Sequence, residues 1–216
     1  TESQSSRVGL ILMGYDPDQP SVREMAEKLN LAQCFFVKGE HDFYGQEIAP
    51  LDEQEILKIA AVHDRMVSSW AVSGMFSVKN PAHEFRAAEL IKRHSSSSIT
   101  MGRDLTGQLD AVRRAATAAL NAGLVVIINR LLNAVKFSAE NNGLCASKLL
   151  VVKGDGSLVR EALARAKPIQ PVVSAHAASL VGAQILSDGF RSVDAKNLSA
   201  VDVRVPTTQL APRQTG

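Results

Sequence analysis

LDAVRRAATAALNAGLVVIINRLLNAVKF, residues 109–137, followed after a polar break by KLLVVKGDG, residues 148–156, is the stretch whose reading decides the fold. Leu109, Val112, Ala116, Leu120, Ile127, Leu131 and Val135 recur at steps of three, four and seven, the signature of one helix face. Asp110 stands in the first turn and Lys136 in the last, the charge order that the helix dipole favours, and Glu140 is spaced to pair with Lys136. Asn141, Asn142 and Gly143 supply the stop. Gly123 costs about 1 kcal/mol against Ala, so a bend or a close backbone neighbour is expected there. Lys148 to Val152 is short, apolar and bounded by breakers, which predicts a buried strand. Gly154-Asp155-Gly156 turns the chain, and Ser157 is placed to cap a following helix, LVREALARA. A strand, a glycine-rich turn and a helix start form the place where open α/β sheets hold ligands, although Asp155 serves equally well as a simple turn former.

Outward from this stretch the elements alternate. Val8 to Met13 and Cys34 to Val37 predict strands on either side of a helix from Ser21 to Leu29, with Ser21 and Glu24 as a capping box. Asp52 caps a helix with Ile56, Ile59, Ala60 and Met66 inward. Trp70 to Phe76 is a third strand, Pro81 opens another helix, and Ile99 to Met101 is a short strand. Farther on, Pro168 to Val173 reads as extended, Ala175 to Ser187 as a small-residue helix, and VDVRV, 201–205, as a strand. The alternation predicts a layered α/β architecture, with mostly parallel sheets flanked by helices. His94 and the four serines after it mark the clearest break, giving an N-terminal α/β subdomain over 1–94. A second subdomain, with the long helix and the GDG turn, covers 95–205, and residues 206–216 read as a disordered tail.

Composition narrows the partners. The chain has 216 residues, 45% apolar and 21% charged, with a net charge of +2, so no bulk field argues for nucleic acid or a membrane. One Trp leaves no stacking platform for single strands. The longest apolar run, Gly123 to Ile128, is too short to span a bilayer. Two cysteines, far apart and without a secretory leader, lead to the expectation of reduced thiols and a cytoplasmic location. Three histidines stand beside acids, at His41-Asp42, His63-Asp64 and His83-Glu84; imidazole with carboxylate suits Zn or Mn, and His41, Asp42 and His83 are the candidate metal ligands. An ordering hydrogen bond at His41 explains the same residues. Ser174-Ala175-His176 opens a helix whose free N–H groups suit an anion. No G-x-S-x-G elbow, Walker A loop or G-x-G-x-x-G is present.

FSVKNPAHEFRAAEL (76–90), LLVVKGDGSLV (149–159) and KPIQPVVSAHAASLVGA (167–183) together resemble, in order and interval, the A-type subunit of the hydantoinase/5-oxoprolinase family, which also includes ketone carboxylase subunits. VGLILMGYDP, GEHDFYGQEIAPLDE and LDAVRRAATAALNAGLV are similar to one branch of it. The resemblance implies a partial actin/sugar-kinase-like (ribonuclease H-like) ATPase fold, with ATP and Mg²⁺ phosphorylating an oxygen of a cyclic amide or small carbonyl substrate. It also implies a B-type partner subunit or a homo-oligomer. By motif match, Asp155 would be catalytic, and Gly154, Gly156, Ser174, His176 and Ser179 would line the nucleotide cleft. The family's two phosphate loops, D-x-G-G-T-x-T-D and D-x-G-G-T-[ST]-x-D, have no counterpart in these residues; DAKNLSAVDVRVP stands where the second would fall. S-G-P has become Ser174-Ala175-His176, without the glycine that lets backbone approach phosphate. Two expectations follow: a piece or subunit of an ATP-dependent cyclic-amide hydrolase that is not catalytic alone, or a diverged α/β module for assembly or small-ligand binding.

Overall fold

A run of six residues with no polar side chain, VGLILM, can be a strand only if both of its faces are covered. In the computed structural model, which describes residues 7–29, 31, 33–143 and 149–170, it is β1 (Val8–Met13), buried throughout at the centre of a parallel sheet. The elements that follow are α1 (Pro20–Lys28), β2 (Gln33–Val37), β3 (Glu40–His41), β4 (Glu47–Ala49), α2 (Glu53–His63), β5 (Ser69–Gly74), α3 (Ala82–Lys92), β6 (Ser98–Met101) and α4 (Ala111–Asn141). β7 (Leu150–Val152), β8 (Leu158–Arg160) and α5 (Glu161–Ala166) come last. The main sheet has the order β2-β1-β5-β6, with every pair parallel; β3-β4 and β7-β8 are small antiparallel hairpins. The layered α/β architecture with flanking helices is therefore present.

Alternate residues of β1 serve different layers. Leu10 and Leu12 join Val22 and Met25 of α1 and the alanines of α4 in one core. Ile11 and Met13 join Ile56, Ile59 and Ala60 of α2, Trp70 and Val72 of β5, and Leu90 and Ile91 of α3 in the other. Each such aliphatic side chain contributes about 1.5–3 kcal/mol on full burial, so two dry layers outweigh any single polar contact in this region. Gly9 is fixed by the second layer: a Cβ there would lie 2.6 Å from the Trp70 ring.

The long helix is present, with Asp110 as its N-cap accepting from the Arg113 amide, but it lies the other way round from the stripe of large residues. Ala111, Ala115, Ala118, Ala119 and Ala122 face the sheet, whereas Leu109, Leu120, Ile127, Leu131 and Val135 are 40–54% exposed. Small side chains let the helix axis approach the strands closely. The helix also outruns its support: 31 residues reach about 46 Å, against about 20 Å for a six-residue strand. Its distal half instead meets α5, through Arg165 to Asn129 and Asn133, and Lys136 pairs with Glu161 rather than Glu140. By length and composition, α4 is the one helix among the described residues that could cross a membrane. Its alanine face and its buried Arg114 and Asn121 make it a core helix of this sheet.

Several local expectations are corrected. α1 starts at Pro20 in its first turn, and Gln19 makes no side-chain cap, so the Ser21–Glu24 box does not form. Met66 follows α2 in a short 3-10 turn and is 40% exposed. The segment before the GDG turn is a half-exposed hairpin strand, not a buried one, because Leu158 to Arg160 returns antiparallel to it and the helix begins only at Glu161. The run beyond residue 170, the helix at 175–187, the VDVRV strand and the tail lie outside the described residues.

Candidate functional site at the carboxyl end of the sheet

β1 passes to β2 on one side and, after the hairpin and α2, the chain returns as β5 on the other side of β1. The gap beyond the carboxyl ends of β1 and β5 is thus the switch point where open parallel sheets bind ligands. Here it is filled from within. The Tyr15 hydroxyl, just past β1, donates to the Ala111 carbonyl at 2.9 Å and lies 2.9 Å from Ser73 Oγ on β5. Burial pushes the Tyr15 phenol up to about 12, so it stays a neutral donor. Gly74, which ends β5, is held on both sides: its amide donates to Glu84 Oε1 at 2.9 Å, and its carbonyl accepts from Arg114 at 2.8 Å. Arg114 also donates to the Met75 and Gln108 carbonyls, and Glu84 accepts from the Arg103 amide. Desolvation raises the Glu84 carboxyl above its ordinary range despite these donors. These residues weld the starts of α3 and α4 to β5. Sequence reading missed them because Glu84, in A-H-E-F, and Arg114, in V-R-R-A, look like ordinary helix-surface charges.

Beside this plug, the β3–β4 hairpin brings a second cluster together. His41, on β3, and His83, in the first turn of α3, are each only 6% exposed, with ring centroids 4.0 Å apart. His83 Nε2 lies 3.1 Å from Glu47 Oε2, on β4. His41 Nε2 and His83 Nδ1 are buried without a hydrogen-bond partner. Burial first, then the neighbouring His83, lowers the His41 pKa, while Glu47 and Asp42 pull the other way. Gly39 (φ +150°) lets the β2–β3 turn pass His83, since a Cβ there would sit 3.3 Å from Nδ1 and 2.8 Å from Leu51 Cδ1. Of the three residues read from the sequence as a metal set, His41 and His83 meet. Asp42 instead shapes the hairpin, accepting from the Tyr44 and Gln46 amides. Glu47 takes its place, a residue that no adjacent histidine flagged; His41 and Glu47 project to the same place because the hairpin register carries them there.

The GDG turn closes the β7–β8 hairpin. Gly154 N donates to the Gln170 carbonyl and Gly156 N to the Lys153 carbonyl, while the Asp155 carboxylate accepts from Lys153 Nζ and from the Ser157 amide and hydroxyl. Those bonds hold the Asp155 pKa well below the usual carboxylate range. The Gly154 amide is thus committed to Gln170, beyond the hairpin, while the Gly156 amide and the Asp155 carboxylate are committed within it. Ser174, His176 and Ser179 lie outside the described residues. A separate cleft of about 520 Å³ runs along β6, between α4 and α5. Its charged residues are engaged too: Arg165 binds Glu161 and Asn129, and Lys167 binds the Asp104 carbonyl.

The architecture defines a parallel α/β domain with helices on both faces of the sheet. Residues 2–95 match the hydantoinase/oxoprolinase N-terminal region and residues 114–203 match the hydantoinase/oxoprolinase domain. The chain belongs to the hydantoinase/oxoprolinase family. It is 27% identical over 153 residues to an uncharacterized protein of Methanocaldococcus jannaschii, covering 70% of this chain and 22% of that one. It is 26% identical to the acetophenone carboxylase gamma subunit of Aromatoleum aromaticum, over 57% of this chain and 21% of that protein. With the caprolactamase subunit alpha of Pseudomonas jessenii it shares 29% identity over 101 residues, 46% of this chain and 14% of that one. Among solved structures, the ATP-dependent caprolactamase of Pseudomonas jessenii superposes with a TM-score of 0.69 at 20% identity, covering 86% of this chain and 29% of that one. Nucleotide-free acetone carboxylase superposes at 0.60 and 18%, with the same coverage. The chain thus spans about a fifth of the length of the curated relatives it matches.

Proposed function

We propose that this chain is part of an ATP-dependent enzyme acting on a cyclic amide or small carbonyl compound, and that it does not turn over ATP by itself. The observation that carries this reading is the ordered match of both family regions along one chain. The relatives named as carboxylase and caprolactamase subunits support a role beside a B-type partner subunit or a second copy. Mg²⁺ with ATP is the cofactor that this family reading brings, and its grip on the triphosphate would come from outside the described residues, because the GDG turn is internally closed. A cytoplasmic setting with reduced thiols belongs to the same reading; the partly buried Cys34 thiol is pushed up to about 11 by desolvation, which leaves it little thiolate character.

Calorimetry of the chain with Mg-ATP, together with ATP and amide hydrolysis assays with and without a B-type subunit, tests the proposal. Silence from the chain alone and turnover in the mixture are expected. Turnover by the chain alone would overturn the second half of the proposal, and an inert mixture the first. The committed Asp155 carboxylate favours a second reading, a non-catalytic module for assembly or small-ligand binding. It predicts silence in both assays.

A further inference from the structure

Two imidazoles whose rings lie 4.0 Å apart, both nine-tenths buried, need a reason to be there. Were both charged, they would repel across a dry gap. Were both neutral, each would want a partner for each ring nitrogen, and His41 Nε2 and His83 Nδ1 have none. A buried polar atom left unpaired costs about 1–3 kcal/mol, so two in one cluster are a substantial defect unless something else completes them. Glu47 adds an anionic oxygen on the solvent side, its side chain 53% exposed. One donor atom from each of the three residues lies within 4.8 Å of the others.

We propose that His41, Glu47 and His83 bind a divalent first-row transition ion, with zinc as the best fit. Two neutral imidazoles and one carboxylate form a three-ligand set of the open type, which leaves a fourth position for water or a carbonyl oxygen. Ligands around a tetrahedral zinc at about 2.0–2.1 Å stand roughly 3.3 Å apart, so the cluster must tighten. The half-exposed Glu47 carboxylate is free to do so by rotating, while the two rings are fixed by burial. Asp42, tied into the hairpin turn by two backbone amides, orients β3 and is no ligand. The ion would clamp the β3–β4 hairpin to the first turn of α3, beside the carboxyl end of the sheet. The inference stands on these residues alone and is independent of ATP use.

The test uses the full chain, stripped with a chelator and titrated with Zn²⁺ by calorimetry, then with Co²⁺ followed by its visible absorption. Binding of one Zn²⁺ at micromolar affinity or tighter, a tetrahedral Co²⁺ spectrum and a raised melting temperature are expected. Glu47→Gln, at an exposed position that need not disturb folding, should weaken Zn²⁺ at least about tenfold, as should His83→Gln. Glu40→Gln, a neighbouring exposed acid outside the cluster, should leave affinity unchanged. Absence of Zn²⁺ binding, or binding that Glu47→Gln and His83→Gln both leave intact, would overturn the proposal.

Discussion

At the scale of single residues, the carboxyl end of the sheet shows how buried polar groups are tolerated when each has a task. Tyr15 is the clearest case, since its hydroxyl bridges β5 and the first turn of α4. Tyr15→Phe should cost about 1–2 kcal/mol in urea unfolding, the price of leaving Ser73 and the Ala111 carbonyl short of a partner. Its raised pKa sets the alkaline behaviour. The stability tied to the neutral phenol is fully present below pH 10 and is lost as pH rises through about 12; Tyr15→Phe should flatten that fall. Glu84 works with the same sign at lower pH. Its carboxyl is raised from 4.5, so its contribution is complete below pH 4.5 and declines as pH rises through the elevated value. Glu84→Gln should remove this slope whatever offset it adds, as measured by denaturant melts across the acid range. For Asp155→Ala, the loss of the Lys153 and Ser157 bonds should lower melting by the same amount with and without Mg-ATP. A drop confined to the ligand-bound protein would instead give Asp155 a part in binding.

At the scale of elements, α4 separates periodicity from orientation. Two stripes in it obey helical spacing, one of alanines and one of large aliphatics, and the sheet took the alanines. Ala118→Leu should therefore cost about 1–3 kcal/mol by overpacking, while Leu131→Gln, more than half exposed in this chain, should change stability by no more than about 0.5 kcal/mol. The reverse order of effects would show that the outer stripe is the packed one. The two hairpins make a related point. Leu158 to Arg160 carries residues that suit a helix or a strand, and pairing with Leu150 to Val152 selects the strand. Glu47 reaches the histidine cluster only through the β3–β4 register.

At the scale of the whole molecule, α4 packs beside α1 and completes a core that residues 8–101 alone would leave open along Leu10, Leu12 and Ala71. Arg114 fastens α4 by three carbonyls, those of Gly74 at the end of β5, Met75 just after it and Gln108 in the loop before α4. Unfolding followed by Trp70 fluorescence and by far-ultraviolet circular dichroism should accordingly give one coincident transition for the sheet and α4; two separated transitions would contradict it. The sequence by itself determined the α/β class, the buried β1, the Asp52 cap, and the place of the chain in its family, because these depend on local periodicity, capping chemistry and motif order. Only the tertiary structure decided which face of α4 is inside, that the GDG turn closes a hairpin, and that Tyr15, Ser73, Glu84 and Arg114 meet around Gly74. The same holds for Glu47, which replaces Asp42 beside His41 and His83. Those outcomes depend on close approach between segments dozens of residues apart or, in the two hairpins, on pairing register, and spacing along a chain carries no record of either.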